Sequence, residues 1–224
     1  MVDLTVIYYT SNYEKPSFEE KIRHSLWETI EPLGLPLISV SQKPIDFGKN
    51  ICVGDVGRSG QNALRQWQIG AEAAKTRFIC PAESDMLYPT EYFQYRPETE
   101  EMFCTARPVY IIFASRHFVK NYFLVPRTEA AVVVGREYLI HAVDASLKGK
   151  DQWWRNVEWG EKNKEVLPNL FLNTRHEFFE LPVPIVTFKT EENMHRKTPF
   201  RKGEAPRTLP HWGDCVDLIR KYVA

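Results

Sequence analysis

The sequence predicts an α/β domain with a mostly parallel central sheet, helices on both faces and a smaller C-terminal mixed layer. Three observations carry that expectation. A β-branched and aromatic run, Leu4–Tyr9, is followed by a helical stripe and then by a second apolar run, Leu37–Val40. That is the βαβ pattern of a parallel sheet, whose crossover is right-handed. The same alternation recurs where the helix formers of Gln61–Lys75 lead into Arg77–Cys80. Beyond residue 100 the apolar runs become short and closely spaced, as antiparallel strands are.

Leu4–Tyr9 ends in the turn-prone Thr10-Ser11-Asn12 and reads as a buried strand feeding a loop. Ser17 and Glu20 have capping-box spacing, Phe18, Ile22, Leu26 and Ile30 fall on one stripe, and Gly34 stands where a C-terminal cap belongs. A helix is therefore expected between them. Residues Gln42 to Gly60 are rich in Pro, Gly, Asp and Lys, which marks a long loop with room for one short strand, and such loops usually carry function. Leu64, Trp67, Ala71 and Ala74 share a face of the next expected helix. Met102–Thr105, Val109–Ala114, Asn121–Val125 and Ala131–Val134 then read as strands and Arg136–Leu147 as a helix. Phe178–Leu181 and Ile185–Phe188 are late strands, and Gly213–Tyr222 is a closing helix.

Composition bounds the function. The chain has 224 residues, enough for one compact domain. Its 43% hydrophobic and 26% charged content excludes disordered, collagen-like and disulfide-scaffold classes. Lys+Arg 29 against Asp+Glu 29 leaves no net field to recruit polyanions, so an anion site must be local. Cys52, Cys80, Cys104 and Cys215 are far apart with no C-x-x-C pair, which argues against a zinc cage and for buried free thiols. With no signal-peptide pattern and no apolar run long enough to span a bilayer, a cytoplasmic protein without a membrane partner is expected.

The clearest chemical signal is Glu83-Ser84-Asp85, directly after the strand containing Ile79. Carboxylates one residue apart suit a hard divalent cation, Mn2+ or Mg2+, that completes its shell with phosphate oxygens. In open α/β sheets ligands bind beyond the carboxyl ends of strands, so these acids and Thr10-Ser11-Asn12 are expected on one rim. The bland alternative is a solvated acidic turn.

The order of motifs around these acids resembles the GT-A type nucleotide-sugar glycosyltransferases, in particular the large inverting family that includes cellulose and hyaluronan synthases. In that family a glycine-bearing loop leads to a helix reading roughly A-R-N-x-G, then a strand, then D-x-D. Here Gly57-Arg58-Ser59-Gly60 leads to Leu64-Arg65-Gln66, with Gly70 following after three residues rather than one, and Glu83-Ser84-Asp85 is a variant D-x-D. The similarity covers roughly residues 4 to 90. Ser39, Ser41 and Gln42 stand where the family places an Asp that reads the base.

The resemblance implies a Rossmann-like GT-A fold in one domain, 1–224, with a nucleotide-sugar half (1–90) and an acceptor half (91–224). It implies an inverting, metal-dependent transfer from a nucleoside-diphosphate sugar, a UDP-sugar, to an acceptor hydroxyl. Asp85, with Glu83, would hold the metal, and His195 would be the late third ligand, with His211 its competitor. Tyr9, Thr10, Ser11, Asn12, Ser41, Arg58, Arg65, Glu83, Ser84 and Lys197 would line the nucleotide sugar, Lys197 or Arg196 neutralising the departing diphosphate. Glu158 or Glu161, with Asp151 behind them, would be the general base, since a carboxylate ionised at neutral pH can take the acceptor proton. Trp153, Trp154 and Trp159 would stack on a ring or pack in the core.

Other readings stay open. A sugar-phosphate nucleotidyltransferase also uses an α/β sheet and Mg2+, but Tyr9-Thr10-Ser11-Asn12 lacks its glycine-rich phosphate loop. A non-catalytic nucleotide-sugar-binding module would bind without turnover. The acceptor is a glycan, a protein or a hydroxymethylated base in viral DNA, the last placing the enzyme in host cytoplasm. DNA would need Arg116, Lys120 and Arg127 on one face with the late basic residues. A monomer or small homo-oligomer is expected.

Overall fold

A computed structural model describes residues 2–115, 118–125, 128, 130–154, 174–193 and 205–223. It is a mixed α/β fold on one large sheet, with helices on both faces. In chain order the elements are β1 (Leu4–Thr10), α1 (Pro16–Ile30), a 3-10 turn (Glu31–Leu33), β2 (Leu37–Ser41), β3 (Lys49–Cys52), α2 (Gly60–Ala73), β4 (Phe78–Glu83) and β5 (Met86–Leu87). They continue with α3 (Thr90–Gln94), β6 (Phe103–Phe113), β7 (Phe123–Val125), β8 (Val132–Gly135), α4 (Arg136–Ser146) and β9 (His176–Lys189). A small hairpin, β10 (Thr208–Leu209) with β11 (Gly213–Asp214), precedes the closing helix α5 (Cys215–Tyr222).

The sheet order is β3-β2-β1-β4-β8-β6-β9-β5, with β7 paired to β6. From β3 to β4 every pairing is parallel. Beyond β4, antiparallel pairs surround the parallel pair β6 and β9, so the mixed region expected in the second half extends the same sheet. The period of two in β1 sorts the core. Leu4, Val6 and Tyr8 pack with Leu26 and Ile30 of α1 and with Tyr92 and Phe93 of α3 on one face. Ile7 and Tyr9 meet Leu64, Trp67 and Ala71 of α2 and Leu139 and Val143 of α4 on the other. Each such fully buried side chain stabilises the fold by about 1.5–3 kcal/mol. A third cluster joins Phe18 and Ile22 of α1 to Phe188, Leu218 and Tyr222, docking α5.

Several local expectations change. Ser17 and Glu20 form no capping box, because Pro16 occupies the first helical turn and Lys15 is the cap without a side-chain bond. Proline's fixed φ begins the helix there instead. Gly34 does adopt the left-handed conformation, at φ 62°, after the 3-10 turn. The two strands read on either side of Arg107-Pro108 are one strand, β6; the register shift against β9 between Arg107 and Val109 absorbs the missing proline N–H. Phe178–Leu181 and Ile185–Phe188 likewise belong to a single strand. Cys80, Cys104 and Cys215 are buried free thiols, whereas Cys52 at the end of β3 is exposed. Among the described residues no helix is long and apolar enough to cross a membrane.

Candidate active site

Because β1 and β4 are parallel neighbours with Tyr9 opposite Glu83, their carboxyl ends open on the same rim. A cleft of about 270 Å3 lies there. Tyr9, Thr10, Ser11, Tyr13 and Glu14 form one wall, from the end of β1 and the loop into α1. Gly57, Arg58 and Ser59, with Asn62 and Gln66 of α2, form another. Glu83, Ser84 and Asp85 line it from the end of β4, and Lys189 and Asn193 from the end of β9.

The acid pair is held under electrostatic tension. Asp85 is nearly buried, and its Oδ2 accepts hydrogen bonds from Lys189 Nζ at 3.0 Å and Asn193 Nδ2 at 2.7 Å. Its Oδ1 is buried and has no hydrogen-bond partner among the described residues. Burial, and then the neighbouring Asp85 charge, push the Glu83 carboxyl well above the ordinary carboxylate range, against the pull of Lys189 and Tyr9. Burial disfavours the Lys189 ammonium, but the Asp85 and Glu83 carboxylates outweigh it and raise its pKa above the ordinary value. An orphaned carboxylate oxygen beside a second, reluctantly ionised carboxylate is a donor set that a hard divalent cation would satisfy. Among the described residues these two acids have no third His, Cys, Asp or Glu beside them to complete a metal cluster.

Buried amides set the cleft walls. Gln66 Nε2 donates to Thr10 O and Val40 O, both at 2.9 Å, tying α2 to the ends of β1 and β2. Ser59 caps α2 by accepting from Asn62 N, while the Asn62 side chain donates to Val56 O and bonds both N and O of Trp154. Gln42 Oε1 accepts from Val56 N and Gly57 N, shaping the glycine-bearing loop. Sequence reading gave Gln42 and Gln66 only motif positions and no role to Asn62, although buried Gln61, Asn62 and Gln66 in an otherwise amphipathic helix were a usable signal. Glu19, also missed, is buried and accepts from Thr10 Oγ1 at 2.7 Å, which holds the loop after β1.

Of the residues singled out from sequence, Tyr9, Thr10, Ser11, Arg58, Glu83, Ser84 and Asp85 meet in the cleft. Arg58 stacks over the half-exposed Tyr13 ring at 4.3 Å and donates to Glu192 O at 2.7 Å. Asn12 works in the scaffold: at φ 54°, its Oδ1 accepts from Gln42 N and Lys43 N. Ser41 Oγ donates to Lys43 O. Arg65 turns toward α4, donating to Gln68 Oε1 with Asp144 3.9 Å away. Asp151 is exposed outside the cleft lining, its carbonyl held by Gln61 Nε2. His211 is exposed against Trp212, also away from the cleft. Trp154 packs against the cluster under α2 and α4. Lys120 donates inward to the carbonyls of Phe113, Ala114 and Ser115. Glu158, Trp159, Glu161, His195, Arg196, Lys197, Arg116 and Arg127 lie outside the described residues.

Glu14 was not foreseen. Both its carboxylate oxygens accept from Thr190 Oγ1, at 3.0 and 2.8 Å, and it stands between the cleft and a second recess lined by Phe18, Ser115 and Glu191. Burial is the main cause that pushes its pKa from 4.5 up to about 7, with the Asp85 charge adding to it. A carboxyl raised in the native state binds its proton more tightly than in the unfolded chain, so its ionisation opposes folding. That penalty is absent below pH 4.5 and complete above about pH 7. Glu14→Gln should therefore melt with wild type in acid and above it at alkaline pH, in paired thermal melts. A difference that does not change with pH would contradict this.

No protein-family model and no curated protein matches the chain. Solved structures do. The GalNAc-T7 crystal structure with UDP, GalNAc and Mn2+ superposes with a TM-score of 0.53 at 11% identity, over 84% of this chain and 44% of that one. The inositol-1-phosphate CTP transferase of T. maritima gives a TM-score of 0.50 at 8% identity, over 87% of this chain and 92% of that one. The chain thus spans less than half of the GalNAc-T7 chain. At such identities the likeness is one of fold: the α/β sheet of this chain is arranged like those of GalNAc-T7 and of the CTP transferase.

Proposed function

We propose that this chain is a metal-dependent glycosyltransferase that moves a sugar from a nucleoside-diphosphate sugar, a UDP-sugar, to an acceptor hydroxyl. The observation that carries the reading is the buried, unpartnered Asp85 Oδ1 beside Glu83 in a cleft at the carboxyl end of β4. Asp85 and Glu83 would hold Mn2+ or Mg2+, which supplies charge stabilisation for the leaving diphosphate. The Mn2+ in the GalNAc-T7 structure is compatible with that assignment.

The remaining chemistry belongs to the chain. The N-terminus of α2, capped by Ser59, presents the positive end of a 14-residue helix to the cleft, which favours a phosphate. Tyr13 is a half-exposed ring with the Arg58 guanidinium over it, and this planar pair at the cleft is where a base can stack. Glu14, at the boundary of the two recesses, is the described carboxylate placed to receive the acceptor's proton as its oxygen attacks the sugar carbon. A pKa close to neutrality suits that task. Direct displacement inverts the anomeric centre, and the products are a glycoside and a nucleoside diphosphate. Glu158 and Glu161 remain alternative bases, His195 a third metal ligand and Lys197 a diphosphate contact, all on the family resemblance. The sequence expectations of a cytoplasmic enzyme, a monomer or small homo-oligomer, and a glycan, protein or DNA acceptor complete the reading.

A thermal-shift panel of UDP, UDP-sugars and nucleoside triphosphates, with Mn2+ or with chelator, tests the reading. At a hundredfold excess over its dissociation constant, the right ligand adds about 2.7 kcal/mol. Stabilisation by UDP and a UDP-sugar only with Mn2+ is the expected result. A response confined to triphosphates, with pyrophosphate released, would transfer the assignment to nucleotidyl transfer, the activity named for the inositol-1-phosphate CTP transferase. Tight binding with neither transfer nor hydrolysis would leave a binding module.

A further inference from the structure

Among the described residues Lys189 is the cation that pairs with Asp85. It is the last residue of β9, and its main chain is fixed: the preceding Phe188 N donates to Asp85 O, and Ala114 N donates to Lys189 O, each at 2.8 Å. Its side chain is only 17% exposed and places Nζ 3.0 Å from Asp85 Oδ2. Glu83 and Glu14 add their charges around the same ammonium. Asp85 is thus the carboxylate that Lys189 contacts, with Glu83 and Glu14 acting on it at longer range, in a cleft proposed to take a diphosphate.

A divalent ion gripped by Asp85 Oδ1 and Glu83 would bring two positive charges beside that ammonium, which is then repelled from Asp85. The four-carbon stem of lysine lets the charge move without moving the strand. A phosphate oxygen entering with the donor is the partner that can receive it. We propose that Lys189 is a resident counter-ion of Asp85, that a divalent cation displaces it, and that the released ammonium binds a phosphate oxygen of the nucleotide. This deepens the metal-dependent reading above and rests on it.

The exchange has opposite signs for two ligands. In Lys189→Met the metal no longer competes with an ammonium, while the nucleotide loses a charged contact. Free Mn2+ in titrations of the full chain, followed by electron paramagnetic resonance, should show binding about tenfold tighter than wild type. UDP affinity at saturating Mn2+ should fall about tenfold. Lys189→Gln, whose amide can still donate to Asp85 Oδ2, should show the same two shifts and guards against misfolding of the methionine variant. Mn2+ binding unchanged or weakened in both variants would mean that Lys189 merely orients Asp85, and would overturn the exchange. Unchanged UDP affinity would overturn the phosphate contact. If wild type and variants alike take up no Mn2+, the metal reading fails beneath the proposal, a result distinct from Mn2+ uptake without these shifts.

Discussion

Asp85→Asn should eliminate the Mn2+-dependent part of UDP binding and lower sugar transfer by at least about a hundredfold, as removal of one preorganised charge at a leaving group does. The substitution is nearly isosteric and keeps an oxygen to accept from Asn193 Nδ2, so the turn after β4 should survive. It also leaves the Lys189 ammonium without its closest carboxylate. Breaking a buried ion pair by removing one partner costs about 3–5 kcal/mol. The low end applies here, because Glu83 remains beside the lysine. Adding Lys189→Met should recover most of the lost stability in urea denaturation without recovering transfer. That split separates the structural ion pair from the metal-holding role. An Asp85→Asn protein that folds and still binds UDP better with Mn2+ than with chelator would remove Asp85 from the metal site.

Why Asp85 could be singled out from sequence, and Lys189 could not, is a matter of range. Parallel strands carry their carboxyl ends to one edge, so once Leu4–Tyr9 and the run through Ile79 are read as strands of one sheet, the segments after both must converge. Local periodicity is enough for that. Lys189 meets Asp85 across 104 residues, through the pairing of β5 with β9, and nothing in the residues around Lys189 announces that register. Glu14 and Thr190 are 176 residues apart and were hidden for the same reason. Proline misled in two places: Pro108 reads as a strand end, yet the sheet accommodates it at a register shift, and Pro16 displaces the cap that Ser17 suggests. Arg65 shows the limit of motif analogy. It occupies the expected place in the α2 sequence, but its face of the helix looks toward Asp144 on α4.

Gly70→Ala should destabilise the fold by about 1–3 kcal/mol, although alanine is the better helix former by about 1 kcal/mol. A Cβ at Gly70 would lie 2.4 Å from Ile7 Cγ2 and 3.1 Å from its Cδ1 and Cγ1. Ile7 is fully buried in the middle of β1, paired on both sides, so it has nowhere to retreat. The glycine therefore sets how closely α2 lies on the sheet, and through that where Ser59, Asn62 and Gln66 stand against the ends of β1 and β2. The double-mutant cycle with Ile7→Ala isolates this cause, since that change deletes all three contacting atoms. Ile7→Ala alone should cost about 2–5 kcal/mol. In its background, Gly70→Ala should become neutral or stabilising, because the new methyl enters the space vacated and the helix gains its intrinsic preference. The same penalty in both backgrounds would show that the close approach of α2 to β1 is not what requires glycine. In the single variant UDP affinity should fall as well, because the N-terminus of α2 cannot be lifted from β1 without moving the wall it gives to the cleft.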